Sequence, residues 1–177
     1  MRKNYSKNFI KKKNFGLIAS NSLRTRIFLK YFLKEKIIPQ QIFIFSKKKF
    51  VLNKNIYKNS KIIIVKTDDI NNLRLINKIL ESDLEYFIYS GYAGKIIKSK
   101  KLLIKKKLFH CHPGKLPEFK GSTIPFYQYL TKGYLTYTLF RMSSKIDSGK
   151  IFLERKFLPP SNFFEKYDNI DSIYRIE

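Results

Sequence analysis

The chain has 177 residues, a hydrophobic fraction of 44% and a formal net charge of +24. That length suits one domain with a real core, and no apolar run approaches the ~20 residues of a membrane helix. One cysteine cannot staple a fold, which points to a reducing cytoplasm, and the basic start MRKNYSKNFIKKK lacks the apolar stretch of a signal peptide. A surface this basic suits nucleic acid, anionic lipid or a phosphorylated ligand. The excess is mostly lysine set among Ile, Asn, Phe and Tyr. Those residue types share A/T-rich codons, so a compositional bias accounts for the charge as well as binding does.

After a basic arm over 1–14, FGLIAS (15–20) reads as a buried strand. Asn21 or Ser22 can cap a helix over 23–36, with Leu23, Ile27, Phe28, Phe32 and Leu33 near helical spacing. QIFIFS (41–46) is the next strand, 47–60 is polar without clear periodicity, and KIIIVKT (61–67) is a further strand. Asp68 or Asp69 can cap a helix over 70–82. LEYFIYSGY (84–92) reads as a strand, AGKIIKSKKLL as loop and short helix, and KLFHCH (107–112) as a strand stopped by Pro113 and Gly114. A helix over 125–133 closed by Gly133, a strand over 134–142, the turn SSKIDSG and a strand over 150–158 complete one domain over 15–158. The extension 159–177 can start another helix. Strands alternating with helices predict an α/β, Rossmann-like fold, a mostly parallel sheet with helices on both faces. In such sheets the site lies at the carboxyl ends of the strands. No GxGxxG-type or P-loop phosphate motif is present, since GYAG has the wrong length and lacks the following Lys-Ser/Thr.

Residues 110–121, HCHPGKLPEFKG, hold both histidines and the only cysteine. Alternation along a strand turns His110 and His112 to one face and Cys111 to the other. A metal site needs a further ligand on the histidines' side. There is no third histidine and Cys111 faces away, so a metal is not expected. Imidazole beside a carboxylate suits acid–base chemistry near neutral pH, and Asp147 in KIDSGK is an available carboxylate. Cys111 reads as a small buried hydrophobe.

HCHPGKLPEFKG, followed after a helix and a strand by KIDSGKI, resembles the signature of the 10-formyltetrahydrofolate-dependent formyltransferases. That family includes the methionyl-tRNA, glycinamide ribonucleotide and amino-sugar N-formyltransferases, and the HPG form of the loop is most similar to the sugar-type members. The resemblance covers roughly 15–155. It implies catalytic roles for His112 and Asp147, with His110 standing where the family carries asparagine. It also implies 10-formyltetrahydrofolate as cosubstrate and no metal. Lys95, Ile96 and Ile97 of SGYAGKII would lie along the pterin, and Ser143, Ser144, Lys145 and Ile146 would form the opposite wall. A neutral His110 offers one N–H and one acceptor nitrogen, so it is expected to take over the asparagine's role toward the oxyanion. The tRNA-specific members carry an additional β-barrel domain, which this sequence does not show. The expected acceptor is therefore a small amine, phosphorylated and most similar to a nucleotide-linked amino sugar. Methionyl-tRNA, glycinamide ribonucleotide, a purely nucleic-acid-binding role or an inactive relative are the alternatives. No membrane partner is expected, and a homodimer is compatible with the sequence.

Overall fold

The computed structural model describes residues 14–52, 54–121, 123–159 and 162. The basic arm before residue 14 and nearly all of the extension lie outside the described residues. Twelve elements follow in order: β1 (Phe15–Ser20), α1 (Leu23–Lys34), β2 (Gln41–Phe45), α2 (Lys54–Asn59), β3 (Lys61–Val65), α3 (Leu73–Leu80), β4 (Tyr86–Ser90), α4 (Lys100–Lys105), β5 (Lys107–His112), α5 (Ile124–Lys132), β6 (Leu135–Arg141) and β7 (Ile151–Phe157).

The strands form one sheet in the order β3-β2-β1-β4-β5-β6-β7. The first five in that order run parallel, and β6 and β7 are antiparallel additions at the edge. Alternation along the central strands loads both faces with apolar side chains. Ile18, Phe43, Phe45 and Phe87 face α3 and α4, packing with Leu75, Ile79 and Leu102. Leu17, Ala19, Ile42 and Ile44 face α1 and α2, packing with Leu29 and Ile56. Chain order reverses direction between β1 and β4, which opens a crevice beyond their carboxyl ends.

Local signals set the boundaries. Ser22 caps α1 by accepting from the Thr25 amide. Asn72, not Asp68 or Asp69, caps α3, accepting from Arg74 and Leu75. The two aspartates instead organise the loop before it: Asp68 accepts from the Lys47 amide and Asp69 from the Asn71 amide. The polar stretch 47–60 contains a short helix, α2, anchored by the fully buried Ile56. One apolar anchor in six residues is too little periodicity to read from sequence. Gly133 ends α5 at φ 67, a left-handed C-cap. Among the described residues no helix is long and apolar enough to cross a membrane.

Candidate active site

β5 delivers both histidines to the crevice. Its alternation buries Leu108, His110 and His112, while Phe109 and Cys111 are half-buried on the other face.

His110 is held at both nitrogens. Nδ1 lies 3.1 Å from the Tyr89 carbonyl oxygen. A carbonyl only accepts, so Nδ1 carries the proton and Nε2 is a bare lone pair. That lone pair faces Nη1 of Arg24 at 3.5 Å. The Tyr89 and Phe140 rings stand edge-on to the imidazole at 5.7 and 5.8 Å. Burial, and then the Arg24 charge, push the His110 pKa down to about 3. His110 is therefore neutral at physiological pH, and its one N–H is committed to Tyr89. The N–H that sequence reasoning assigned to an oxyanion is engaged elsewhere.

His112 carries the opposite tautomer. Its Nε2 donates to the Phe119 carbonyl at 2.7 Å, which leaves Nδ1 as the basic atom. Nδ1 stands 3.6 Å from Oδ1 of Asp147. Burial lowers the His112 pKa, while the Asp147 charge and the Phe119 carbonyl pull it back up. The ring is thus a neutral base with a carboxylate already in place for the imidazolium it would become.

The two loops that frame this pair are built for it. Asp147 sits in the left-handed region, at φ 42, where aspartate is among the few tolerated side chains. Its Oδ2 accepts from the Gly121 amide at 2.9 Å, tying the DSG turn to the end of the HPG loop. Gly149 follows at φ 143, and a Cβ there would lie 1.8 Å from the Arg141 carbonyl oxygen. On the other loop, a Cβ on Gly114 would lie 2.8 Å from the Phe119 carbonyl that holds His112. Thr138 donates to the Gly114 carbonyl at 2.7 Å and accepts from the Leu116 amide. Gln128 accepts from the Lys115 amide and donates to Thr136. The Leu116–Pro117 peptide between these anchors is cis.

Arg24, Ala93, Gly94, His110, His112, Pro113, Gly121, Ile146 and Asp147 line one small cavity. It shares residues with a cleft walled by Tyr92–Ile97 on one side and by Met142, Ser143 and Lys145–Asp147 on the other, with Tyr89 and Phe140 between them. Lys95, Ile96, Ser143, Lys145 and Ile146 thus meet across one opening. Ser144 lines a neighbouring groove with Lys100 and Arg141 instead. The Ile97 side chain is fully buried in the core beside α3 and α4, so only its backbone is left to face the cleft. Asn71 fixes that stretch, donating to the Ile96 carbonyl and accepting from the Lys98 amide. Among the described residues no group of three His, Cys, Asp or Glu could hold a metal.

Arg24, Tyr89, Phe119, Gln128 and Thr138 are contributors that the sequence reading does not single out. Tyr89 and Phe119 act on the imidazoles through backbone carbonyls, and Gln128 and Thr138 on the HPG loop, through contacts that no local pattern encodes. Arg24 carried a signal. It is the second residue of α1, where the helix dipole disfavours a cation.

The His112–Asp147 pair lies beyond the carboxyl end of β5, in a cavity shared with residues that follow β1 and β4. The fold itself is that of the formyltransferases. The chain superposes on phosphoribosylglycinamide formyltransferase from Campylobacter jejuni with a TM-score of 0.68 at 19% identity, covering 92% of this chain and 91% of that one. The enzyme of the same name from Streptococcus pneumoniae gives a TM-score of 0.65 at 18% identity, over 92% and 89% of the two chains. A sugar N-formyltransferase from a Shewanella species gives 0.58 at 15% identity, over 92% of this chain and 66% of that one. By sequence, the chain matches no family model and no curated protein.

Proposed function

We propose that this chain is a formyltransferase, moving the formyl group of 10-formyltetrahydrofolate to a primary amine. The observation that carries the reading is the His112–Asp147 pair, 3.6 Å apart at the base of the cleft. Formyl transfer asks for a base near neutral pH, and a buried imidazole that is neutral and backed by a carboxylate supplies one. His112 Nδ1 takes the proton the amine releases, and Asp147 stabilises the imidazolium that results. The Phe119 carbonyl keeps the ring oriented throughout.

The cosubstrate supplies an activated formyl carbon. The residues present fit a flat heteroaromatic ring: segments of the loops after β4 and β6 line one cleft together with the rings of Tyr89, Tyr92 and Phe140.

The acceptor we favour is a nucleotide-linked amino sugar, because Lys95 and Lys145 at the cleft suit phosphate groups. Glycinamide ribonucleotide is the second reading, favoured by the higher TM-scores and fuller coverage of the solved enzymes that carry that name. Incubation with 10-formyltetrahydrofolate and a panel of amino-sugar nucleotides, glycinamide ribonucleotide and methionyl-tRNA, followed by release of tetrahydrofolate, tests both. Silence across the panel, with no thermal shift on adding folate, would sink the enzyme reading.

A further inference from the structure

We propose that Asp68 and Asn71, on the loop before α3, are positioning residues for the cleft: they hold its 92–98 wall at both ends, Asp68 through the Tyr92 hydroxyl. The assignment rests on the formyl-transfer reading and names residues outside the cleft that set its affinity for the cosubstrate.

The wall runs between the end of β4 and the start of α4 with no regular structure of its own. Residues 93–96 are exposed, and Ala93 and Gly94 line both the cleft and the His112–Asp147 cavity. Such a segment keeps one conformation only through the groups that hold its ends.

Asn71 holds the far end. Its side-chain amide donates to the Ile96 carbonyl at 3.0 Å and accepts from the Lys98 amide at 2.8 Å, as a neighbouring strand would. Between those two residues Ile97 is fully buried. Tyr92 holds the near end. Its hydroxyl donates to Asp68 Oδ1 at 3.0 Å, and its ring stands edge-on to Phe45 at 5.6 Å. The same Oδ1 accepts from the Lys47 amide at 3.0 Å. The Ser46 side chain and the Asn21 backbone also bear on the hydroxyl. Segments that follow β1, β2 and β3 thus meet at one phenol of the cleft wall.

β3 is the edge strand, three places from β4, about 14 Å away at ordinary strand spacing. The loop after β3 bridges that distance because it is itself stiff. The Asp69 amide donates to Thr67 Oγ1 at 3.1 Å and the Asn71 amide to Asp69 Oδ1 at 2.9 Å. Tyr89 ties the wall to the imidazoles: its hydroxyl donates to the Tyr92 carbonyl at 3.3 Å, while its own carbonyl holds His110. With the latch removed, a ligand must order the wall as it binds. That cost is the same in the ground and transition states, so it raises KM and leaves kcat.

The test uses Tyr92→Phe, Asp68→Ala, Asp68→Asn and the Tyr92→Phe/Asp68→Ala double variant in the full chain, with Asn71→Ala for the other end. Tyr92→Phe keeps the ring and deletes only the hydroxyl. It should raise KM for 10-formyltetrahydrofolate, and the calorimetric Kd for tetrahydrofolate, on the order of 10-fold, the scale of one hydrogen bond to a charged group. Both kcat and KM for the acceptor that the panel identifies should change only a few-fold. Asp68→Ala should do at least as much, and the double variant no more than Asp68→Ala alone. Asp68→Asn should stay within a few-fold of wild type, because one amide oxygen can accept from both the Tyr92 hydroxyl and the Lys47 amide. Asn71→Ala should raise the same KM. A further readout needs no ligand: amide hydrogen exchange at 93–96 should speed up in Tyr92→Phe and Asn71→Ala, while β1 and β4 keep wild-type protection. Wild-type folate KM and Kd in Tyr92→Phe and Asp68→Ala would overturn the positioning role, as would a fall in kcat with KM unchanged. An additive double variant would overturn the Asp68–Tyr92 pairing. A wild type that neither turns over nor binds tetrahydrofolate would overturn formyl transfer instead, and unchanged exchange at 93–96 would in that case still overturn the latch.

Discussion

Nδ1 of His112 and Oδ1 of Asp147 face each other at 3.6 Å, across a gap wider than a hydrogen bond. Because Nε2 is committed to Phe119, the neutral ring presents a lone pair, not a proton, to the carboxylate. Protonation at Nδ1 converts that opposition into an ion pair. The carboxylate thus acts on the protonated ring far more than on the neutral one. Asp147→Asn removes the charge while its amide oxygen can still accept from the Gly121 amide. It should lower kcat on the order of 100-fold with little change in thermal stability, read from tetrahydrofolate release and a melting curve. Near-wild-type turnover would remove Asp147 from the chemistry.

The two histidines should be distinguishable by NMR, since the chain has only two. His110 should appear as the Nδ1–H tautomer and His112 as Nε2–H. With its pKa at about 3, the His110 signal should stay flat down to about pH 4. His112 should titrate below the ordinary imidazole value of about 6.5, and the acid limb of the rate profile should follow it. Titration of the His110 ring near neutrality would contradict the buried, Arg24-paired arrangement.

The same shifts predict acid sensitivity of the fold. Both folded imidazole pKa values are depressed, so between the folded value and about 6.5 the unfolded chain binds more protons. Stability from this source is fully present above pH 6.5 and falls as the pH drops. For His110 the loss continues toward pH 3. Each group fully in that window costs about tenfold in the folding equilibrium per pH unit. Urea midpoints measured between pH 7 and 4 should fall steadily, and His110→Asn should flatten the slope.

Much of this architecture is legible in the sequence. Unbroken apolar runs such as FGLIAS and QIFIFS are dictated by a sheet covered on both faces, and they appear as β1 and β2. Proline and glycine after His112 mark the strand end where the loop begins. Alternation in KLFHCH puts both imidazoles on one side. What the sequence does not disclose is which nitrogen each ring exposes. That depends on carbonyls of Tyr89 and Phe119, 21 residues before and 7 after their partners, and backbone oxygens carry no sequence signature. The place of Arg24 depends on α1 packing beside β4, where Thr25 donates to the Ser90 carbonyl at 2.6 Å.

Gly149→Ala should separate backbone demands from chemistry. A Cβ at this position would collide with the Arg141 carbonyl, and φ 143 is strained for any L side chain. The turn carrying Asp147 must shift or the fold must lose on the order of 2 kcal/mol. The melting temperature should fall about 4–8 °C and activity with it. Gly133→Ala is the control. It also occupies a positive φ, 67, but meets nothing within 4 Å and caps a helix away from the cavity. It should cost about 1 kcal/mol and leave kcat unchanged. Equal effects of the two substitutions would show that steric fit at Gly149 is not what holds the turn.

Thr138→Val tests whether the HPG loop is held from β6. The hydroxyl donates to the Gly114 carbonyl at 2.7 Å and accepts from the Leu116 amide at 3.3 Å, all in buried surroundings. Valine keeps the shape and deletes both bonds, leaving a buried carbonyl and a buried N–H unpaired. That should cost roughly 1–3 kcal/mol. The kinetic effect follows from position. Gly114 packs against the Phe119 carbonyl and the His112 ring, so a loosened loop disturbs the acceptor that fixes the His112 tautomer. The variant should lose kcat about 10-fold or more, while an effect of misplaced geometry alone should leave the acid limb of the profile near its wild-type pH. If kcat holds while stability falls, the threonine supports the fold only, and His112 is oriented by Phe119 and Asp147 without help from β6.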